Sequence, residues 1–390
     1  MTHSLNPVFA RRPVTIFQVM TGLASEHGAI NLGQGFPDED GPKEILEAAA
    51  RAVVEGPNQY APVMGLPALR EAVARSNKRF YSLDVDPQTE VLVVAGATEG
   101  LASAFLAFLN PGDEAVLFAP FYDSYAPMIE AAGGRARFVN LAPPGWRIDA
   151  AALEAAITEK TKLIVLNSPQ NPTGHVIGRE ELEIVAAAAR RHDLLVVCDE
   201  VYEHLIFDGA PHLPLMALPG MRERCVRIGS AGKTFSLTGW RIGYVTGPAP
   251  LIAGLMKAHQ YVAYTCPSHL QKAVATGLDM DDDYYARFAA GMQEKRDLMR
   301  SGLAEAGFEV LACEGTYFML VDIRSVGFSG DDMSFCREIT ESAKVAAVPA
   351  SAFYHASTPG PTHYARFCFC KKRAVIEEAS ARLKRYFGAH

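Results

Sequence analysis

Residues 162–200 read KLIVLNSPQNPTGHVIGREELEIVAAAARRHDLLVVCDE. Two short apolar runs, KLIVLNS and LLVVCDE, bracket a helical pattern from Arg179 to His192. A continuous apolar run presents no polar face to water, so each predicts a strand covered on both sides. The helix between them returns the chain for a parallel pairing. The alternation recurs upstream, where EVLVVAG (90–96) precedes a helix reaching Leu109 and AVLFAP (115–120) precedes one reaching Ala132. The pattern predicts an α/β fold with a mainly parallel sheet between helices, in which ligands gather beyond the carboxyl ends of the strands.

At 390 residues the chain exceeds one compact core, so two domains are expected. The larger is placed at 41–280. Beyond it, a long helical pattern near Asp283 to Ala306 leads into strand-like FEVLACEGTYFMLVDI (308–323), VAAVPASAF (345–353) and ARFCFC (365–370). Helical stretches at 331–343 and Arg373 to Phe387 are interleaved with them, so 281–390 reads as a smaller α+β domain, with residues 1–40 as an N-terminal arm. Nearly half of the residues are hydrophobic, and the net charge of −7 comes from acidic and basic residues mixed along the chain. No basic patch is left for nucleic acid. The seven cysteines have neither paired disulfide spacing nor a C-x-x-C metal or redox pattern, which suits a reducing, cytoplasmic compartment. No apolar leader and no apolar run of roughly 18 residues points to a membrane.

The segment SAGKTFSLTGWR, Ser230 to Arg241, places Lys233 between a hydroxyl and a guanidinium that both donate to phosphate oxygens. An amine so placed can form an imine with a phosphorylated aldehyde, and pyridoxal phosphate has both groups. Alone, the segment also fits a surface lysine near a turn. Asp199, at the end of LLVVCDE, can hold a pyridine nitrogen protonated or cap the next turn. Tyr202 can donate to the phenolic oxygen of such a cofactor. Asn171 can meet the same oxygen through its amide, although Asn-Pro-Thr-Gly also reads as an ordinary turn.

In AGATEGLASAF (95–105) the backbone amides of Ala97, Thr98 and Glu99 open a helix and form an anion site for phosphate. The G-x-G-x-x-G spacing of a dinucleotide loop is absent at this turn. Tyr122 in PFYDSY can lay its ring on the cofactor or fill the core. Arg366, opening the otherwise apolar RFCFC, suits the α-carboxylate of an amino acid or a structural salt bridge. Unpaired it would be costly, so one of the two is expected. No metal site is indicated.

With these residues assembled, the chain resembles the pyridoxal-phosphate-dependent class I and II aminotransferases of fold type I, and within them the kynurenine, glutamine and methionine aminotransferase group. The resemblance runs through NLGQGFPDEDGP (31–42), NQYAPVMGLPALREAV (58–73), GATEG, PFYDSY, NSPQNPTG, CDEVYEHLIFD, SAGKTFSLTGWRIGY and RFCFC. It implies a seven-stranded, mainly parallel sheet between helices, with a smaller α+β domain, and a homodimer with shared active sites. Lys233 would then be both the imine-forming lysine and the proton shuttle, with Asp199 at the pyridine nitrogen and Asn171 and Tyr202 at the phenolic oxygen. Tyr122 would stack on the ring. Ser230, Arg241 and the amides at Ala97 and Thr98 would bind phosphate, joined by Tyr60 of the second subunit. Arg366, Asn171 and the Gly35 backbone would hold the substrate carboxylate, and Phe17, with Tyr264 contributed across the dimer, would line the side-chain pocket.

The implied reaction moves the amino group of an L-amino acid to a 2-oxo acid by a ping-pong route through imines of the cofactor. Neutral, aromatic or sulfur-containing donors such as methionine, glutamine or kynurenine are expected, because no second arginine is assignable to a distal carboxylate. An N-succinyl-diaminopimelate aminotransferase, sharing the NLGQGFPDEDGP and CDEVYEHL patterns, is the alternative. A cysteine-S-conjugate β-lyase reaction is expected as a side activity. The chain departs from the kynurenine pattern at Phe17, where tryptophan is usual, and at Thr265, where histidine can occur, which weakens the case for an aromatic specificity.

Overall fold

The computed structural model describes residues 5–10 and 12–388. Seven strands form one sheet: β1 Val91–Val94, β2 Glu114–Ala119, β3 Arg135–Asn140, β4 Thr161–Asn167, β5 Leu195–Asp199, β6 Cys225–Ser230 and β7 Gly243–Thr246. Their order is β1-β7-β6-β5-β4-β2-β3. Every pairing is parallel except those of β7, which runs against both neighbours. The mainly parallel seven-stranded sheet is therefore as expected.

Successive residues of a strand point to opposite faces, and the apolar runs supply both. Val93, Val116, Ile164 and Val196 enter one core with Leu182, Val185 and Ala186 of helix Arg179–Arg191. Val94, Leu117, Val165 and Val197 enter the other with Leu101 and Phe105 of helix Ala97–Phe108 and with Ile252 and Leu255 of helix Ala249–Val262. Each such side chain contributes about 1.5–3 kcal/mol by leaving water, which holds the strand ends and their loops in register. Strand β3 and helix Ala150–Ala156 lie outside the sequence expectation. β3 is an edge strand with Arg135 and Arg137 both exposed, so it lacks the continuous apolar run that marks the central strands.

The C-terminal region builds a four-stranded antiparallel sheet from β8 Glu309–Val310, β9 Phe318–Asp322, β10 Val348–Pro349 and β11 Tyr364–Cys368, in the order β10-β11-β9-β8. Helices Asp282–Glu305 and Arg373–Phe387 contribute Met299, Leu303, Ile376 and Leu383 to its core. The N-terminal segment packs with this region: Ile30–Asn31 pairs in parallel with Val345–Ala346, and Met20 and Leu32 enter the same core. The Cys368 amide donates to the Leu32 carbonyl at 2.8 Å, which lays residues 33–36 beside the strand carrying Arg366. Among the described residues no helix is long and apolar enough to cross a membrane.

Candidate active site

The carboxyl ends of β1, β2, β4, β5 and β6 face a cavity of about 430 Å³, closed from the other side by Gln34 to Phe36 of the arm and by Phe318 and Arg366. Lys233, Asp199, Tyr202, Tyr122, Asn171, Ser230, Arg241, Ala97, Thr98, Gly35, Phe17 and Arg366 all line it. Twelve sequence candidates drawn from across the chain thus converge on one cavity.

At its phosphate-sized end, Gly96 adopts φ +75°, and a Cβ there would sit 2.6 Å from Nη2 of Arg241. This close approach brings the guanidinium to the N-terminus of helix Ala97–Phe108. Among the described residues the amides of Ala97 and Thr98 have no acceptor, and the Ser230 hydroxyl has no partner. Arg241 uses only Nη1, which donates to the Thr238 carbonyl at 3.2 Å. Unpaired donors converging on a helix N-terminus fit a phosphate dianion. Glu99 departs from expectation. Its amide donates to the Gly96 carbonyl at 3.1 Å, as the third residue of a helix does, and its carboxylate accepts from the Ala95 amide and pairs with His259 Nδ1 at 3.0 Å. It is a helix-capping residue turned away from the cavity, and two amides rather than three remain open.

Asp199 closes the floor. Asn167 pins the strand end by donating from Nδ2 to the Asp199 carbonyl at 2.9 Å and accepting from the Asn171 amide at 2.9 Å. The Asp199 carboxylate accepts from the Tyr125 hydroxyl at 2.5 Å. Burial raises its pKa to about 6, the Tyr125 hydrogen bond opposing that rise. Tyr125 lies outside the sequence expectation, although its place three residues after Tyr122 in PFYDSY is a signal for it. Burial also lowers the pKa of the Lys233 amine, and the nearby Arg241 charge acts in the same direction. A larger neutral fraction is what an imine-forming amine needs.

Arg366 is 1% exposed, and its guanidinium has no carboxylate in ion-pair contact among the described residues. It donates to Asn171 Oδ1 and to the Gly33 carbonyl, both at 2.7 Å, while its Nε has no partner. The rings of Phe318, Phe353 and Phe17 lie 3.9, 4.8 and 5.2 Å from it. Burial pulls its pKa down to about 10. Of the two readings open for this residue, a structural salt bridge is absent, and a buried cation with a free donor fits an anionic ligand. Tyr60 and Tyr264 lie outside the cavity. They pack edge to face at 5.2 Å on the surface, 82% and 48% exposed, so their expected contribution would be to the cavity of a second copy.

Residues 27–383 match the sequence model of the family described as aminotransferase class I and II. The chain is 45% identical over 378 residues to a probable N-succinyldiaminopimelate aminotransferase of Mycobacterium tuberculosis, covering 95% of each chain. It is 41% identical over 370 residues to the methionine aminotransferase of Escherichia coli, again covering 95% of each. The solved structure of N-succinyldiaminopimelate aminotransferase from Mycobacterium tuberculosis superposes with a TM-score of 0.95 at 44% identity, over 98% of this chain and 100% of that one.

Proposed function

This chain belongs to the class I and II aminotransferases, enzymes that depend on pyridoxal phosphate, and on that premise we propose that it takes a neutral donor of the methionine type. In this reading Lys233 carries the proton and Arg366 seats the donor's α-carboxylate. The observation that carries it is the buried Arg366 guanidinium, which among the described residues has no carboxylate in ion-pair contact and is ringed by Phe17, Phe318 and Phe353. Among the described residues the only cations lining the cavity are Lys233, Arg241 and Arg366. The first two face the cofactor end and the third is matched by one carboxylate, so the apolar wall favours an uncharged side chain.

The residues present fit the cofactor. Ser230, Arg241 and the amides of Ala97 and Thr98 would hold its phosphate, and Lys233 its aldehyde carbon. Asp199 would hold its ring nitrogen, Asn171 Nδ2 and Tyr202 its phenolic oxygen, and Tyr122 its face. When bound, pyridoxal phosphate supplies an electron sink for the pair that stays on the donor's α-carbon. Arg366 and the Gly35 backbone orient that carbon so that its proton faces the Lys233 amine. Lys233, whose pKa burial lowers, takes the proton and returns it on the other side of the exchange. The apolar walls keep bulk water from the proton in transit. A second copy of the chain would bring Tyr60 to the phosphate and Tyr264 to the side-chain pocket, making the homodimer the working unit.

The 45% identity to the N-succinyldiaminopimelate relative supports a second reading, in which a cation from the second copy meets the extra carboxylates of that donor. Purified holoenzyme assayed with methionine, glutamine, kynurenine and N-succinyl-diaminopimelate, each with 2-oxoglutarate, separates the two. Methionine is expected to lead in kcat/KM by about tenfold, the discrimination one mismatched pocket group provides. A preference for the succinylated donor would overturn the first reading.

A further inference from the structure

Among the described residues Lys233 has one hydrogen-bond partner, and no sequence motif assigned it: Nζ donates to the Tyr317 hydroxyl at 2.9 Å. That phenol in turn donates to the Gly35 carbonyl at 2.8 Å. A phenol has a single proton and two acceptor lone pairs. With its proton directed at Gly35, Tyr317 offers Lys233 a lone pair, so the direction of this contact is set. Tyr317 is 1% exposed, and its ring meets Tyr202 and Phe318 edge-on at 5.2 and 4.8 Å. The hydroxyl has little room to leave.

The turn presenting Tyr317 is held against its own backbone preference. Thr316 has φ +68°, the left-handed region that a β-branched residue avoids. Its amide donates to the Leu205 carbonyl, and its hydroxyl accepts from the Phe318 amide. The amides of Glu314 and Gly315 both donate to the Gly174 carbonyl at 2.9 Å. The turn is thereby docked on the loop that follows Asn171 and on the segment that follows Asp199. The strain sits next to the residue that delivers a phenol to the lysine.

We propose that Tyr317 is a positioning residue for the proton carrier. It accepts an N–H of Lys233 whenever the amine is free and so fixes where the remaining protons and lone pair of that amine point. Through Gly35 it also ties the amine to the arm, two residues from the Gly33 carbonyl that accepts from Arg366. The carboxylate seat and the proton carrier thus hang on one short stretch of backbone. This inference rests on the reading of Lys233 given above.

The test begins with borohydride reduction and peptide mass spectrometry. Cofactor still fixed at residue 233 of wild type but lost in Lys233→Ala supports that reading, and attachment at another lysine would sink it and the inference with it. In Tyr317→Phe, which keeps the ring and removes only the hydroxyl, the cofactor should remain attached at Lys233. Its kcat with methionine should fall about tenfold or more while KM stays within about threefold, and the isotope effect from α-deuterated methionine should rise. In the apoprotein, reductive methylation of Lys233 at neutral pH should speed up by about threefold, because a buried amine that loses an acceptor holds its charge less well. A cofactor-bearing Tyr317→Phe whose kcat, isotope effect and methylation rate all match wild type would overturn the inference while leaving Lys233 in its role.

Discussion

The guanidinium of Arg366 donates to Oδ1 of Asn171 at 2.7 Å, across 195 residues of chain. Asn171 follows a strand of the large sheet and Arg366 lies within the small one, so one hydrogen bond joins the two halves of the cavity. It leaves Asn171 Nδ2 free to act as a donor.

Replacing Arg366 with lysine keeps the charge and loses the planar fork, so donor KM should rise by roughly one to two orders of magnitude while the cofactor spectrum is unchanged. Arg366→Ala should cost about 2–5 kcal/mol of carboxylate binding. Steady-state kinetics with methionine measure both. An alanine variant with wild-type KM would show that the carboxylate is held elsewhere.

Asp199→Asn should separate stability from activity. The folded carboxyl titrates near 6, above its ordinary value of 3.8. Folding therefore takes up a proton between those pH values, and the stability of the apoprotein falls as pH rises through the folded pKa. The buried charge costs about 3 kcal/mol above that window. The asparagine variant should be the more stable apoprotein at pH 8 by up to that amount in urea titrations, yet lose roughly a hundredfold or more in kcat. A variant less stable than wild type at pH 8 would contradict this account of the carboxyl.

His175 sits between two carboxylates, with Nε2 3.0 Å from Glu181 and Nδ1 3.0 Å from Glu314. Burial alone would lower its pKa, but hydrogen bonds to Glu181 and Glu314 outweigh it and carry the value from 6.5 to about 9. Because the folded value is the higher one, the stabilisation is complete below the unfolded pKa of 6.5 and is lost as pH rises through about 9. It amounts to at most about 3 kcal/mol, less for the half-exposed Glu314. Urea titrations from pH 6 to 10 should show this fall in wild type and its absence in His175→Gln. Parallel curves would refute the charged clamp.

Gly96→Ala should weaken the cofactor rather than the fold. Its φ of +75° disfavours a side chain, and the new Cβ would meet Arg241 Nη2 at 2.6 Å, so the guanidinium must move. Reconstitution of apoprotein should give a cofactor Kd higher by about tenfold or more, as expected for one displaced charge-assisted contact. Unchanged affinity would remove Arg241 from the phosphate site.

The central strands were legible because burial on both faces demands unbroken apolar runs, and the cofactor-directed residues were legible because they sit at the ends of those runs. Strand β3 was not, since an edge strand with Arg135 exposed carries no such run. The segment AGATEG presents the Glu99 amide as open, but helical hydrogen bonding claims it.

The sequence alone determined the alternation of strands and helices, the lysine with its flanking phosphate donors, and the aspartate at a strand end. Each of these is written in a contiguous stretch whose local pattern dictates its own conformation. Tertiary structure alone decided that Arg366 has no carboxylate partner among the described residues, that Tyr125 holds Asp199, and that Tyr317 links Lys233 to Gly35. These relationships join residues tens to hundreds of positions apart. They come into contact only when two sheets and an arm pack around one cavity, and burial there moves the pKa values of Asp199, Lys233 and Arg366 away from their ordinary ones.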